Sequence, residues 1–455
     1  MARIKNVDML HGNLFKSIIS FGIPLLFVSL IQNLFNAVDI MVLGQMADTD
    51  AVASVGTTSS IVHLMTNLAF GISAGSKIVL SRLIGENVKK KIEQAVYTSI
   101  ATAALLGLLV AVVGVVFAPS FLHIVNCPAE IFDDAQLYMQ IYFAAAPAIM
   151  IYNFGSTVLQ VSGDSRRPLF YMIISGSLNL VLNFTLCLIM PRKVAAVAIA
   201  TAASQIVGAI LVFRRITVME GDCRFRFGRS QWNFNLFGKL MTNGLPIGLS
   251  SSLYSLANLQ IQSALNTFGP DAIAGSAAGT NIENIEGSIV NVPWASTVGV
   301  FVGQNVGADN KKRVKHSILI CGAISVTLAL TLSTLIYIFS NPLLSLFVDR
   351  EAAVHYGAIR AQYLILPYAV ASLNSIIANS IHTFGYSIFS TINSIFSVFV
   401  FRMVWMRYIY PLCPTFAVLM QCFLVSWIIV IVVHLLLFFY IYYKKFKANK
   451  LKKMG

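Results

Sequence analysis

Long apolar runs alternate with short polar stretches along this chain, and the alternation occurs twelve times. The runs cover residues 14–43, 52–81, 94–118, 134–161, 167–190 and 194–214, then 237–267, 273–303, 315–340, 352–380, 387–410 and 415–443. Each approaches or exceeds the ~20 residues that carry an α-helix across a ~30 Å hydrocarbon core. A helix satisfies its own backbone hydrogen bonds there, which lipid cannot do for it. The pattern predicts an all-α integral membrane protein with twelve transmembrane helices. The one long charged interruption, 215–236, carries Glu220, Asp222, Arg224, Arg226 and Arg229. It divides an amino-terminal lobe, 1–214, from a carboxyl-terminal lobe, 237–443, and a basic tail fills 444–455.

The two lobes repeat one pattern about 222 residues apart. Gly22-Ile23-Pro24 returns as Gly244-Leu245-Pro246, Asp50-Ala51-Val52-Ala53 as Asp271-Ala272-Ile273-Ala274, and Gly85 with Lys89-Lys90-Lys91 as Gly307 with Lys311-Lys312-Arg313. Two six-helix lobes related by an internal repeat follow. In membrane proteins such paired halves usually flank a substrate path.

Composition agrees with a bilayer setting. Aliphatic, aromatic and Cys residues make up 57% of the chain and charged residues 11%, about half the share of a soluble domain. Most of the 32 basic residues fall in the even-numbered connections and the two ends, while the opposite loops hold Arg192, Lys193, Arg350 and Arg407. By the positive-inside rule both termini are cytoplasmic. The net charge of +14 is therefore topological and nucleic acid is not expected as a partner. No signal peptide is expected, because Met1 to Lys5 lead into a full-length span with no small-residue cleavage site. The six cysteines lack CxxC spacing and the seven histidines are scattered, so neither a zinc site nor a disulfide framework is predicted. A phosphate loop and an HExxH motif are absent from the sequence. The chain is expected to be a non-enzyme without cofactor.

A carboxylate inside an apolar span is expensive, costing ~2.5–3.5 kcal/mol on insertion scales, so it faces protein or water. Three acids sit within the spans: Asp39, Glu283 and Glu286. Asp39 lies near mid-depth of the first span, where burial would raise its pKa and a nearby cation would lower it. Such a group can exchange a proton for a cation; a permanent interhelical hydrogen bond is the competing explanation. Candidate partners are Asn153, Thr201, and Asn179 with Asn183, which share one face of the fifth span. Together with Asp39, Asn179 and Asn183 offer oxygens that suit Na⁺, or that steady a protonated aspartate. Glu283 and Glu286 are one helical turn apart and stand as candidates for substrate recognition or secondary coupling, as does in-span Arg402. Arg360, near a span end, is expected to snorkel to the interface, and Lys77 to snorkel or to form a structural ion pair. Pro24, on the same span as Asp39, bends its helix; Pro147, Pro246, Pro293 and Pro367 interrupt others.

The chain resembles the multidrug and toxic compound extrusion (MATE) family, bacterial branch. The residues that carry the resemblance are Gly22-Ile-Pro24, Asn36-Ala-Val-Asp39, Ala53-Ser-Val-Gly56, Gly71-Ile-Ser-Ala-Gly75, Tyr152-Asn153-Phe154, Gly163-Asp164-Ser-Arg-Arg-Pro168 and Asn179-xxx-Asn183. The second half adds Val302-Gly303-Gln304-Asn305-Val306-Gly307-Ala308 and Arg402-Met-Val-Trp405. The resemblance implies two six-helix lobes around a central cavity open alternately to either side. It implies export of organic cations and other amphipathic compounds in exchange for H⁺ or Na⁺, with a cation site in the amino-terminal lobe at Asp39 and with Asn153, Asn179, Asn183 and Thr201 around it. Some relatives carry a second acid at the position of Asn183.

The expected function is a secondary active antiporter of small amphipathic, often cationic compounds, working as a monomer in the inner (plasma) membrane with the lipid bilayer and small-molecule substrates as its partners. A flippase for a lipid-linked saccharide is the alternative.

Overall fold

The computed structural model describes residues 6–46, 49–125, 127–228 and 232–452, without the side chains of 35–41, 43–46, 49–50, 52, 60, 63 and 446–452. These residues are almost entirely helical, with no strand among them. Ten helices are long and apolar enough to cross a bilayer. An eleventh span is a bent pair, and a twelfth helix, 32 residues long, is rich in Ser, Asn and Gln.

In chain order the twelve are α1 (Leu14–Met46), α2 (Thr49–Glu86), α3 (Lys89–Val116), α4 (Ala129–Ala144 with Ala146–Val161), α5 (Arg166–Ile189), α6 (Lys193–Val218), α7 (Phe234–Leu265), α8 (Pro270–Gly307), α9 (Lys311–Ile338), α10 (Glu351–Thr383), α11 (Ser387–Leu412) and α12 (Phe416–Lys452). The protein is thus an all-α membrane protein of twelve spans.

The repeat is visible in the backbone. α3 and α9 have the same length, 28 residues, and start about 222 residues apart. Left-handed backbone recurs at the same offset: Asn87 (φ 55) and Asp309 (φ 53) precede those helices, while Gly163 (φ 90) and Gly385 (φ 89) close α4 and α10. Glycine tolerates that conformation without cost. Proline removes one backbone donor and crowds the preceding turn. Accordingly α4 bends by 43° just before Pro147, α8 breaks at Asn291 just before Pro293, and α10 re-forms at Tyr368 just after Pro367.

Two compact units emerge, and their division differs from the linker read in the sequence. One comprises Phe27–Gly248 with the residues up to Asp8; the other comprises Met9–Leu26 with Leu249–Gly455. The changeovers in α1 and α7 come two residues after Pro24 and Pro246 respectively. The physical cause is glycine packing. In the first unit Gly71 and Gly75 of α2 meet the backbone of α7 at Gly248 and Gly244, so closely that a Cβ on either would overlap it. In the second, Gly22 of α1 lies under the indole of Trp294 in α8, and Phe21 packs edge-on to Phe301 at 5.8 Å. Small residues let membrane helices approach to backbone contact.

Two of the four basic residues on the charge-poor side have structural work. Lys193 Nζ donates to the Cys187 and Met190 carbonyls at 2.6 and 3.0 Å, capping the end of α5. Arg350 pairs with Asp271 at 3.0 Å.

Candidate functional site

In the first unit, Val42 of α1 packs with Cys187 of α5 and with Ala196 and Val197 of α6, all of them buried. One turn back from Cys187 is Asn183, and one turn on from Val197 is Thr201. Asn183 Nδ2 donates to Asn179 Oδ1 at 3.2 Å, and Asn179 Nδ2 donates to Thr201 Oγ1 at 3.4 Å. Both asparagines are buried. A buried amide is costly unless hydrogen-bonded, so these contacts tie α5 to α6 by a polar chain inside an apolar lobe. Asn153 does not join it; its amide donates to Ile149 O of its own helix at 3.0 Å. The Asp39 side chain lies outside the described residues. In sequence Asp39 precedes Val42 by about one helical turn.

The second unit contains a cavity of ≈ 390 Å³, walled by aromatic and amide side chains of α7, α8, α10, α11 and α12. Arg360 and Glu283 form a two-pronged ion pair in its lining, with Nε to Oε1 at 2.7 Å and Nη2 to Oε2 at 2.9 Å. Arg360 Nη1 also donates to Ser276 Oγ at 2.9 Å. Arg402 is wholly buried behind the wall. Its guanidinium lies between the rings of Tyr254 and Phe423, at 4.8 and 4.3 Å from their centroids. It donates to Asn258 Oδ1 at 2.6 Å, to Tyr254 Oη at 3.3 Å and to Ser426 Oγ. Such stacking is the planar cation's favourable contact with a ring face.

Glu283 and Glu286 share a helix but not an environment. Glu286 is fully buried and accepts from Ser333 of α9, away from the cavity lining. Arg360 does not snorkel: it is 8% exposed and committed to Glu283. Two histidines do come together, contrary to the scattered pattern read from the sequence. His382 Nε2 and His434 Nε2 each lie 2.9 Å from Ser390 Oγ, and His434 Nδ1 is 2.7 Å from Asn374 Oδ1. They are distant in the chain, and no spacing rule joins them.

Short π-helical stretches flank both arginines: Ala361–Ile365 follows Arg360, while Ile395–Val400 and Trp405–Ile409 bracket Arg402. A π-turn inserts a residue and re-aims the side chains beside it, which is why such turns gather at functional positions. Gly71-Ile-Ser73-Ala-Gly75 has the GxSxG form, but Ser73 sits inside α2 and donates to Phe70 O at 2.9 Å. A nucleophile elbow needs a strand-to-helix turn.

The repeat predicts that the second copy differs where the first is polar. Ile261, the counterpart of Asp39, is buried in a cluster with Leu265, Phe416 and Trp427, and Trp405, the counterpart of Asn183, packs on that cluster.

A family profile described as MatE matches residues 24–185 and 246–406, one stretch in each copy of the repeat. "Probable multidrug resistance protein YoeA" of Bacillus subtilis is 26% identical over 397 residues, 85% of each chain. A protein named "FAD transporter" of Shewanella oneidensis is 25% identical over 356 residues, 75% of this chain and 76% of its own. Among solved structures, a MATE protein in complex with MaL6 superposes with a TM-score of 0.90 at 20% identity, covering 98% of this chain and all of the other. Matched over well more than half its length and in both halves, this chain belongs to the MATE family of multi-pass membrane transporters.

Proposed function

We propose that this chain is a secondary active antiporter that exports small amphipathic compounds in exchange for H⁺ or Na⁺, by alternating access. The observation that carries it is the hydrogen-bonded chain Asn183–Asn179–Thr201, its two asparagines buried, in the lobe where α1 packs at Val42. Amide and hydroxyl oxygens there, with the Asp39 carboxylate one turn before Val42, form a donor set for Na⁺ or a cradle for a protonated acid. Pro24 weakens α1 close to where that helix leaves one unit for the other, so a change of charge at Asp39 is read out as a change in how α1 packs.

Relatives named for multidrug resistance support export as the direction, and the relative named "FAD transporter" extends the range of compounds beyond cations. The distribution of Lys and Arg supports cytoplasmic termini in a plasma membrane. In cells expressing the chain, dye accumulation falls; Asp39→Asn abolishes that fall while the protein reaches the membrane in equal amount. Undiminished efflux by Asp39→Asn removes Asp39 from the mechanism.

A further inference from the structure

Three polar side chains that line the second unit's cavity have their acceptor atoms already taken. Tyr254 Oη accepts from Arg402 Nη2 and, at 2.8 Å, from Trp427 Nε1. Both its lone pairs are thereby taken, and its own O–H is left to donate. Asn258 has its carbonyl oxygen on Arg402, so its amide hydrogens are what it offers. Asn374 accepts from His434 through Oδ1, which leaves its NH₂ in the same position. All three residues line the cavity.

The charge behind this wall has the same sign. Arg402 has no carboxylate partner among the described residues, and its contacts are uncharged oxygens and two rings. The lining carboxylate, Glu283, is neutralised by Arg360 through two hydrogen bonds. A buried cation without a counter-ion is costly, and an anion placed nearby lowers that cost. Thr280 and Ser375 give their hydroxyl hydrogens to their own helices, so two acceptor oxygens remain for ligand N–H or O–H groups. Tyr368, Phe423 and Trp427 supply ring faces and edges, with Tyr368 and Trp427 perpendicular at 6.0 Å.

We propose that this cavity is a binding site for a planar aromatic compound bearing an acidic group, carboxylate or phosphate. The ring packs against the aromatic wall, the acid accepts from Tyr254, Asn258 and Asn374, and Arg402 supplies the potential without touching the ligand. As a substrate site it rests on the transport function proposed above; as a binding site it is tested separately.

The test is equilibrium dialysis of the full-length protein in lipid nanodiscs against matched pairs. Flavin mononucleotide against riboflavin isolates the phosphate, and 1-naphthoate against 1-naphthylmethanol isolates the carboxylate. The acid of at least one pair binds about tenfold tighter than its neutral partner, the size expected of charge-assisted hydrogen bonds. Arg402→Gln brings that ratio below about twofold, whereas Arg402→Lys keeps part of the ratio. Should Arg402→Gln fail to fold, Asn258→Ala and the wild-type ratios carry the test. Equal affinities within both pairs, or ethidium binding tighter than either acid, overturn the proposal. If they do so while dye efflux persists, the site assignment fails and the transport reading stands.

Discussion

Arg360 and Glu283 hold each other in an apolar lobe, and the physics of that pair is asymmetric. Removing one partner leaves a buried charge alone, at about 3–5 kcal/mol, whereas replacing both by apolar residues is often neutral. Arg360→Ala therefore lowers the thermal unfolding midpoint in detergent by much more than the double change Arg360→Met with Glu283→Leu. Equal losses would contradict the pair's role. At this scale the sequence is legible only where cost shows in one residue. Asp39 declares itself because a carboxylate in an apolar run is expensive, and Asn179 with Asn183 because four residues make one helical face. Arg360 gives no such sign: its partner lies on another helix, 77 residues away. His382, Ser390 and His434 likewise meet through tertiary packing that no local spacing encodes.

Between elements, glycine decides how near two helices run. Gly275 of α8 lies against the Ala353 carbonyl of α10, leaving no room for a Cβ, while Gly238 of α7 faces open space. Gly275→Ala should destabilise by about 1–3 kcal/mol, since backbone must shift to admit the methyl. Gly238→Ala should be neutral, or stabilise by about 0.5–1 kcal/mol through helix propensity. Thermal melts of the two variants side by side check this, and a reversed order would contradict the packing. The spans themselves were legible because hydrophobic length is a local property. The π-turns beside Arg360 and Arg402 were not, because one inserted residue leaves an apolar run apolar. Nor was the changeover of α1 and α7 between units, which depends on surfaces from distant parts of the chain.

For the molecule as a whole, the charge pattern predicts a topology that one thiol can report. Cys413 is exposed in the connection between α11 and α12, which the positive-inside rule places outside the cell. A membrane-impermeant maleimide applied to intact cells should label Cys413 in a Cys127→Ser background. Cys223, in the linker between α6 and α7, should stay unlabelled even in inverted vesicles. Burial pushes its thiol up to about 12, so the reactive thiolate is scarce below that pH and appears only as pH rises through it. Labelling of Cys413 only in inverted vesicles would reverse the topology. The duplication made the twelve-span fold readable from sequence, since each copy supports the other's boundaries. It also marked where the copies differ: amides stand in the first copy where the second has Phe401 and Trp405. The central claim is that a cation gradient drives export through the first copy's polar site. Dye efflux from proteoliposomes with independently imposed pH and Na⁺ gradients tests it most directly. Efflux driven by one of the gradients and lost in Asp39→Asn is the predicted result, and efflux that responds to neither would contradict it.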